Sequence, residues 1–105
     1  MELSVVDRMV ILSVLPKEGE FATLRILRDL TSALSFSEKE LEDLQLNSVD
    51  GRTQWKEDAA KALENVEIEV GPKAFVMIED AFRELSKQKK LTLELLPTFE
   101  KFVKD

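Results

Sequence analysis

Cysteine, histidine and tyrosine are missing altogether from this chain, and glycine and proline are down to three residues each. Each absence removes a class of chemistry or architecture. Without cysteine there are no disulfides, no thiolate zinc sites and no sulfur nucleophile, a composition suited to a reducing cytosol. Without histidine the commonest general base and the commonest metal ligand are gone. So little glycine and proline leaves small room for a linker or a low-complexity segment, and no internal repeat is visible. Long apolar runs are missing too. The stretch "LSVVDRMVILSVL" is interrupted by Asp7 and Arg8, is too short to span a bilayer, and lacks the basic region and small-residue cleavage site of a signal peptide. What is present, 44% hydrophobic and 34% charged residues, is too apolar for disorder and ordinary for a globular protein. At 105 residues the chain predicts one domain, residues 1–105, in the cytoplasm.

The local patterns predict an α+β fold, mainly helical, with about five helices and a small antiparallel sheet of three short strands. Ser4 and Asp7 make a Ser-x-x-Asp start signal for a first helix that is apolar on most of its circumference and belongs near the centre. "LPKEGE" ends it. Leu24, Leu27, Leu30 and Leu34, broadened by Ile26 and Ala33, define a second helix from Phe21 to Leu34. In "FSEKEL", Ser37 and Glu40 form a capping box and Phe36 is placed to staple onto Leu41, so a short third helix runs from Glu38 to about Asp43. "LQLNSVDGRTQWK" then holds Asp50-Gly51 between alternating segments, the composition of a hairpin with a type I′ turn. "KEDAAKALEN" is a loop or one loose helical turn. "VEIEV" alternates as a third strand with Val66, Ile68 and Val70 inward. Pro72 opens a long helix with the stripe Phe75, Ile78, Phe82 and Leu85 and a Glu79–Arg83 pair. Pro97 favours a turn at "TLELL" and a last helix that begins at Pro97.

Three helices followed by a hairpin is the winged-helix order, in which the third helix enters the major groove. Phosphate contacts need cations, and here the third helix carries Glu38, Glu40, Glu42 and Asp43 against Lys39. Residues 37–46 hold one base and four acids, and residues 47–71 hold three bases and six acids. Arg25, Arg28, Arg52 and Lys56 are the cations left for an anion- or nucleic-acid-binding alternative, too few to outweigh those carboxylates. Glu67 and Glu69, two apart on a strand, are read as its solvated face rather than as a catalytic pair. The acidic third helix lacks the loop geometry of a calcium site, and there is no phosphate loop, serine elbow or zinc motif. Trp55 either anchors the hairpin in the core or, facing water, gives a partner an aromatic anchor.

The apolar first helix running into "ILSVLPKEGEFATLRILRDLTSALSFSEKELEDLQL", a short hairpin ending in "QW", then "VEIEVG" and a closing "LTLELLPTFEKFV" resembles small uncharacterised proteins encoded by tailed bacteriophages and prophages. The resemblance covers nearly the whole chain but is a pattern of core and turn residues, and Pro97 departs from it where a continuous final helix belongs. It implies action in the cytoplasm of a bacterial host and no chemistry.

The function expected is therefore a non-enzymatic acidic protein-interaction module, a phage-encoded modulator of a host protein, with a winged-helix-like DNA-binding regulator as the alternative. A net charge of −6 suits a basic protein partner. Glu38, Glu40, Glu42, Trp55 and Met77 are the candidate partner-binding residues. No catalytic residue, metal site, cofactor, membrane contact or small-molecule substrate is indicated, and nucleic acid is disfavoured. Broad apolar faces on the first helix and the helix from Pro72 predict a homodimer through Met77, unless Phe99, Phe102 and Val103 fold back over them.

Overall fold

The structure, a computed structural model, describes residues 1–50 and 52–103. The order is β1 (Glu2–Leu3), α1 (Val5–Val14), α2 (Phe21–Leu34), α3 (Glu38–Leu44), β2 (Asn47–Val49), β3 (Arg52–Gln54), α4 (Glu57–Ala62), β4 (Val66–Glu67), α5 (Pro72–Lys87) and α6 (Leu96–Phe102). The fold is mixed α+β and mainly helical, with six helices among the described residues rather than five, because "KEDAAKALEN" closes a full turn.

The start and stop signals act as their chemistry requires. The Ser4 hydroxyl accepts from the Asp7 backbone N–H at 3.1 Å, and the Asp7 carboxylate accepts from the Ser4 N–H at 3.0 Å. Leu15 turns extended in front of Pro16, whose ring disfavours a helical residue before it, and α1 ends there. Ser37 and Glu40 make the second capping box, at 3.1 and 2.9 Å. Pro97 falls in the first turn of α6, where a missing N–H costs no helical bond.

The sheet departs from the expected three strands. Two separate antiparallel ladders form instead, β1 with β4 and β2 with β3. "VEIEV" alternates inward and outward as predicted, with Ile68 buried and Glu67 and Glu69 exposed, but it pairs only over Val66–Glu67. Its partner is the two-residue β1, and the Ile68 N–H donates to the Met1 carbonyl at 2.8 Å. The hairpin pairs Asn47 with Gln54 and Val49 with Arg52, and Asp50 takes φ 51°, as the first central position of a type I′ turn does. Gly51, the second turn position, lies outside the described residues.

The main core gathers α1, α2, α5, α6 and the β1–β4 ladder. Leu3, Ile11, Leu34, Ile78 and Phe82 are fully buried, with Phe102 and Val103 nearly so. The last helix does fold back over α5. The Phe102 ring stacks at 5.2 Å from Phe75 and 6.0 Å from Phe82, and Phe99 meets Phe82 edge-on at 5.8 Å. This covers the stripe on which the homodimer expectation partly rested. The segment 38–62 forms a smaller lobe in which α3 packs on α4 and the hairpin packs on itself. Leu44 is the one fully buried side chain among those described there.

Candidate functional site

Two polar clusters centre on the first helix, one at Asp7 and one at Arg8. Asp7 and Arg8, which look in the sequence like interruptions of an apolar run, are both buried, at 4% and 2% exposure. They sit about 100° apart on α1 and point to different ends of the fold. Asp7 accepts from the Thr98 hydroxyl at 2.5 Å and is bonded to the Lys101 ammonium, so it ties α1 to α6. Burial, the largest single influence, works to raise the Asp7 pKa. Bonds from Lys101, the Ser4 N–H and Thr98 together outweigh it and hold the group below its ordinary value. A hydroxyl, a carboxylate and an ammonium in one cluster have the makings of acid–base chemistry, but Thr98 is 1% exposed, so no substrate atom reaches its hydroxyl.

Arg8 turns the other way. Its Nε donates to the Leu34 carbonyl at 3.1 Å and its Nη2 to the Ser35 carbonyl at 2.8 Å, satisfying the end of α2. Its fork grips Glu40 at 2.8 and 3.2 Å, and the Phe36 ring lies 4.1 Å beneath the guanidinium. The hydrogen bonds from Arg8, opposed by partial burial and helped by the Ser37 N–H, bring the Glu40 carboxyl down to about 2. The Phe36 ring thus supports Arg8, and Leu41 is 43% exposed. Every buried side-chain nitrogen and oxygen among the described residues has a partner. Both constellations tie elements of the fold together.

A feature of another kind is the seam between α2 and α5. Thr23 shares a hollow with Met77, Ala81 and Leu85, whereas Ala33 shares one with Pro72 and Ala74, so the two helices run antiparallel. The hollows, of about 600 and 510 Å³, lie toward the two ends of α5, and Val14 and Pro16 also line the second. The cause is visible in the sequence pattern. Both helices aim their large residues at the core, Leu27 and Leu30 from α2 and Ile78 and Phe82 from α5, and they place alanine on the flanks that face each other. Ile26, Leu30, Ala33 and Ala74 floor the first hollow, and Val14, Met77, Ala81 and Leu85 the second. Asp29, Glu69, Asp80 and Glu84 stand on the rims, with Lys73 as the one lining cation among the described residues. Asp29 lies 3.6 Å from Arg28, so the surplus of negative charge rests mainly on Glu69, Asp80 and Glu84.

The residues predicted as partner contacts are dispersed. Met77 is half-buried in the seam. Glu38 and Glu42, four residues apart, share an exposed face of α3, while Glu40 lies about 200° round the helix and is taken up by Arg8. That corrects the grouping of Glu38, Glu40 and Glu42 as one surface. Trp55 is half-buried and stands outside the main core. Among the cations of the alternative reading, Arg25 is exposed and leans over Phe21 at 5.9 Å, Arg28 is exposed 3.6 Å from Asp29, and Lys56 is exposed at the start of α4. Because α2 packs on α1 and α5 while α4 packs on α3, these cations stand on different packing units. The side chain of Arg52 lies outside what the structure describes. Of the rim acids, Asp29, Asp80 and Glu84 were missed by sequence reasoning, and Glu69 was read only as part of a solvated strand face. The available signal was their spacing: Asp80 and Glu84 sit four apart, on the flank of α5 that also carries Met77 and Ala81.

No protein-family model, curated protein or solved structure matches the chain. Among the described residues no helix is long and apolar enough to cross a membrane, and no group of three or more acids could hold a metal ion.

Proposed function

We propose that the protein is a non-enzymatic acidic interaction module that acts by binding a basic protein partner. The observation that carries this reading is the α2–α5 seam, where two apolar hollows along α5 are lined by four carboxylates and one lysine among the described residues. Apolar floors supply burial and charged rims supply orientation and choice of partner, the usual division of labour at protein interfaces. The internally satisfied Asp7 and Arg8 clusters support a role without catalysis. The resemblance to tailed-phage and prophage proteins supports a partner in a bacterial host. A homodimer through the same seam is disfavoured by its charge, since a second copy would set acidic rim against acidic rim.

Duplex binding is the competing reading, and its support is the helix–helix–helix–hairpin order. On the α3 surface three exposed carboxylates, Glu38, Glu42 and Asp43, outnumber Lys39, so that surface repels phosphate rather than attracting it. Capture from a bacterial lysate, with and without nuclease, separates the two. A protein retained after nuclease supports the module. Recovery that vanishes with nuclease, together with sub-micromolar, steeply salt-dependent duplex binding, overturns it.

A further inference from the structure

We infer that the α2–α5 seam receives an amphipathic helix of the partner, with apolar anchors at i, i+4 and i+8 and lysine or arginine on both flanks. This rests on the interaction reading and adds to it the form of the bound segment.

Three features of the seam select a helix. The first is that the floor of the seam is mostly helical, and the backbone groups of α2 and α5 bond within each helix. An extended peptide lying on Ile26, Ala33, Ala74 and Ala81 would leave its own N–H and C=O groups against an apolar floor without partners. A helix arrives with those groups already satisfied. The second is spacing. On α5 the hollows centre near Lys73 and Ala81, eight residues and so about 12 Å apart, which is the rise from i to i+8 on an incoming helix. The third is the small side chains at Ala33, Ala74 and Ala81, which let a third helix approach closely enough for large anchors to sink between α2 and α5.

The charge pattern then fixes the flanks. Asp29 and Glu69 stand by the first hollow, Asp80 and Glu84 by the second. Cations on either side of the partner's apolar line meet carboxylates at both ends of the seam. Lys73 is the one position where an acidic partner residue fits. These rim pairs are exposed, so their effect is on orientation and encounter and falls with added salt.

The test uses the full chain and a dye-labelled synthetic peptide of about 18 residues, long enough to cover both hollows. It carries leucine at the three anchor positions and lysine or arginine on the flanks, and a scrambled peptide of identical composition is the control. Binding is read by fluorescence anisotropy and located by amide chemical shifts of the labelled protein. The expected result is saturable binding of the patterned peptide alone, with shifts at Ile26, Ala33, Met77 and Ala81. Asp80→Lys with Glu84→Lys should weaken it about tenfold at low salt. Glu38→Lys with Glu42→Lys, on the other lobe, should leave it unchanged. Both pairs are exposed, so neither endangers folding. Equal binding of the scrambled peptide, shifts confined to residues 38–62, or indifference to the Asp80 and Glu84 reversals each overturn the inference. So does a mass near twice 12.0 kDa in sedimentation that Asp80→Lys abolishes, because a second copy would then own the seam. If the lysate partner is held equally by the natural chain and by the Asp80→Lys, Glu84→Lys variant, the interaction module stands and the seam falls.

Discussion

Phe82 is 0% exposed and Arg8 is 2% exposed, yet they hold the protein together in opposite ways. Phe82 belongs to a core where Ile11, Leu34, Ile78 and Phe102 exclude water and no single contact direction matters much. Arg8 joins that core to a lobe in which one described side chain, Leu44, is fully buried. It does so through directed bonds to Leu34, Ser35 and Glu40. A segment of about 25 residues cannot bury enough apolar surface to offset its own ordering entropy. It must borrow stability through the junction, and the hydrogen-bonded part of that junction depends on geometry and on charge state. The core should therefore answer to volume, and the lobe to chemistry.

The strongest way to break that comparison is at Phe82. Phe82→Ala should cost about 3–5 kcal/mol by emptying a site packed by Phe99, Phe102 and Ile78. Far-UV circular dichroism and Trp55 emission should shift to lower urea together, since the lobe cannot outlive the core it leans on. A near-neutral Phe82→Ala would mean that α5 does not face the core as described.

Arg8→Met keeps an apolar stem of similar length and removes every directed bond, and it should cost about 2–4 kcal/mol. Here the two probes should separate. Trp55 is the chain's one tryptophan and sits in the lobe, so its emission reports the lobe, while circular dichroism is dominated by the longer core helices. An early Trp55 transition with the main melt moved less is the expected result. Coincident curves would show that the lobe is an integral part of the core.

Asp7 and Arg8 also mark where the sequence was legible and where it was not. Helix bounds, both capping boxes, the hairpin and the Pro97 start are local signals, carried by a few neighbouring residues, and they could be placed without a structure. The inward line Val66–Ile68–Val70 was legible for the same reason. What could not be read was anything that depends on partners far along the chain. Arg8 meets Leu34 and Glu40 across 26 and 32 residues, and Asp7 meets Thr98 across 91. A charged pair in an apolar run looks like a solvated break until its distant partners are known. β1 escaped notice because two residues carry no period, and its ladder with β4 replaced the expected third strand of the hairpin sheet. The seam escaped because alanine and aspartate on a helix flank read as surface, and only the antiparallel approach of α2 and α5 turns them into hollows.

Acid should act on the junction before the core. Glu40, at the junction, ordinarily titrates near 4.5 and is brought to about 2 by Arg8. A carboxylate with a lowered folded pKa adds stability that is fully present above its unfolded pKa. That stability is lost as pH falls toward the folded one. The Glu40 contribution, on the order of 3 kcal/mol at neutral pH, should therefore disappear between about pH 4.5 and 2. Trp55 emission should change across that window while most helical signal persists. Glu40→Gln should flatten the response, and an unaltered acid profile in that variant would reassign it to other carboxylates.

The smallest effect gives the sharpest comparison, because one chemical change can be made in both regions. Gln45 ends α3 at φ 49° and Lys89 follows α5 at φ 60°, both left-handed positions that favour glycine. Lys89 completes a Schellman ending, with the Lys90 N–H donating to Leu85 at 2.9 Å and the Lys89 N–H to Ser86 at 3.0 Å. Gln45 closes its helix through an N–H donated to Leu41 at 3.0 Å. Glycine at either position relieves the crowding of the β-carbon but releases more entropy on unfolding. The net stabilisation should be about 0.5–1 kcal/mol in each case. The local gain is the same, so any difference in readout comes from where it is applied. Lys89→Gly should raise the main melt and leave the Trp55 acid transition where it was. Gln45→Gly should move that transition to lower pH and barely alter the main melt. If both substitutions shift both probes equally, the lobe and the core unfold as one unit, and the distinction between area and direction drawn at Phe82 and Arg8 has no thermodynamic counterpart.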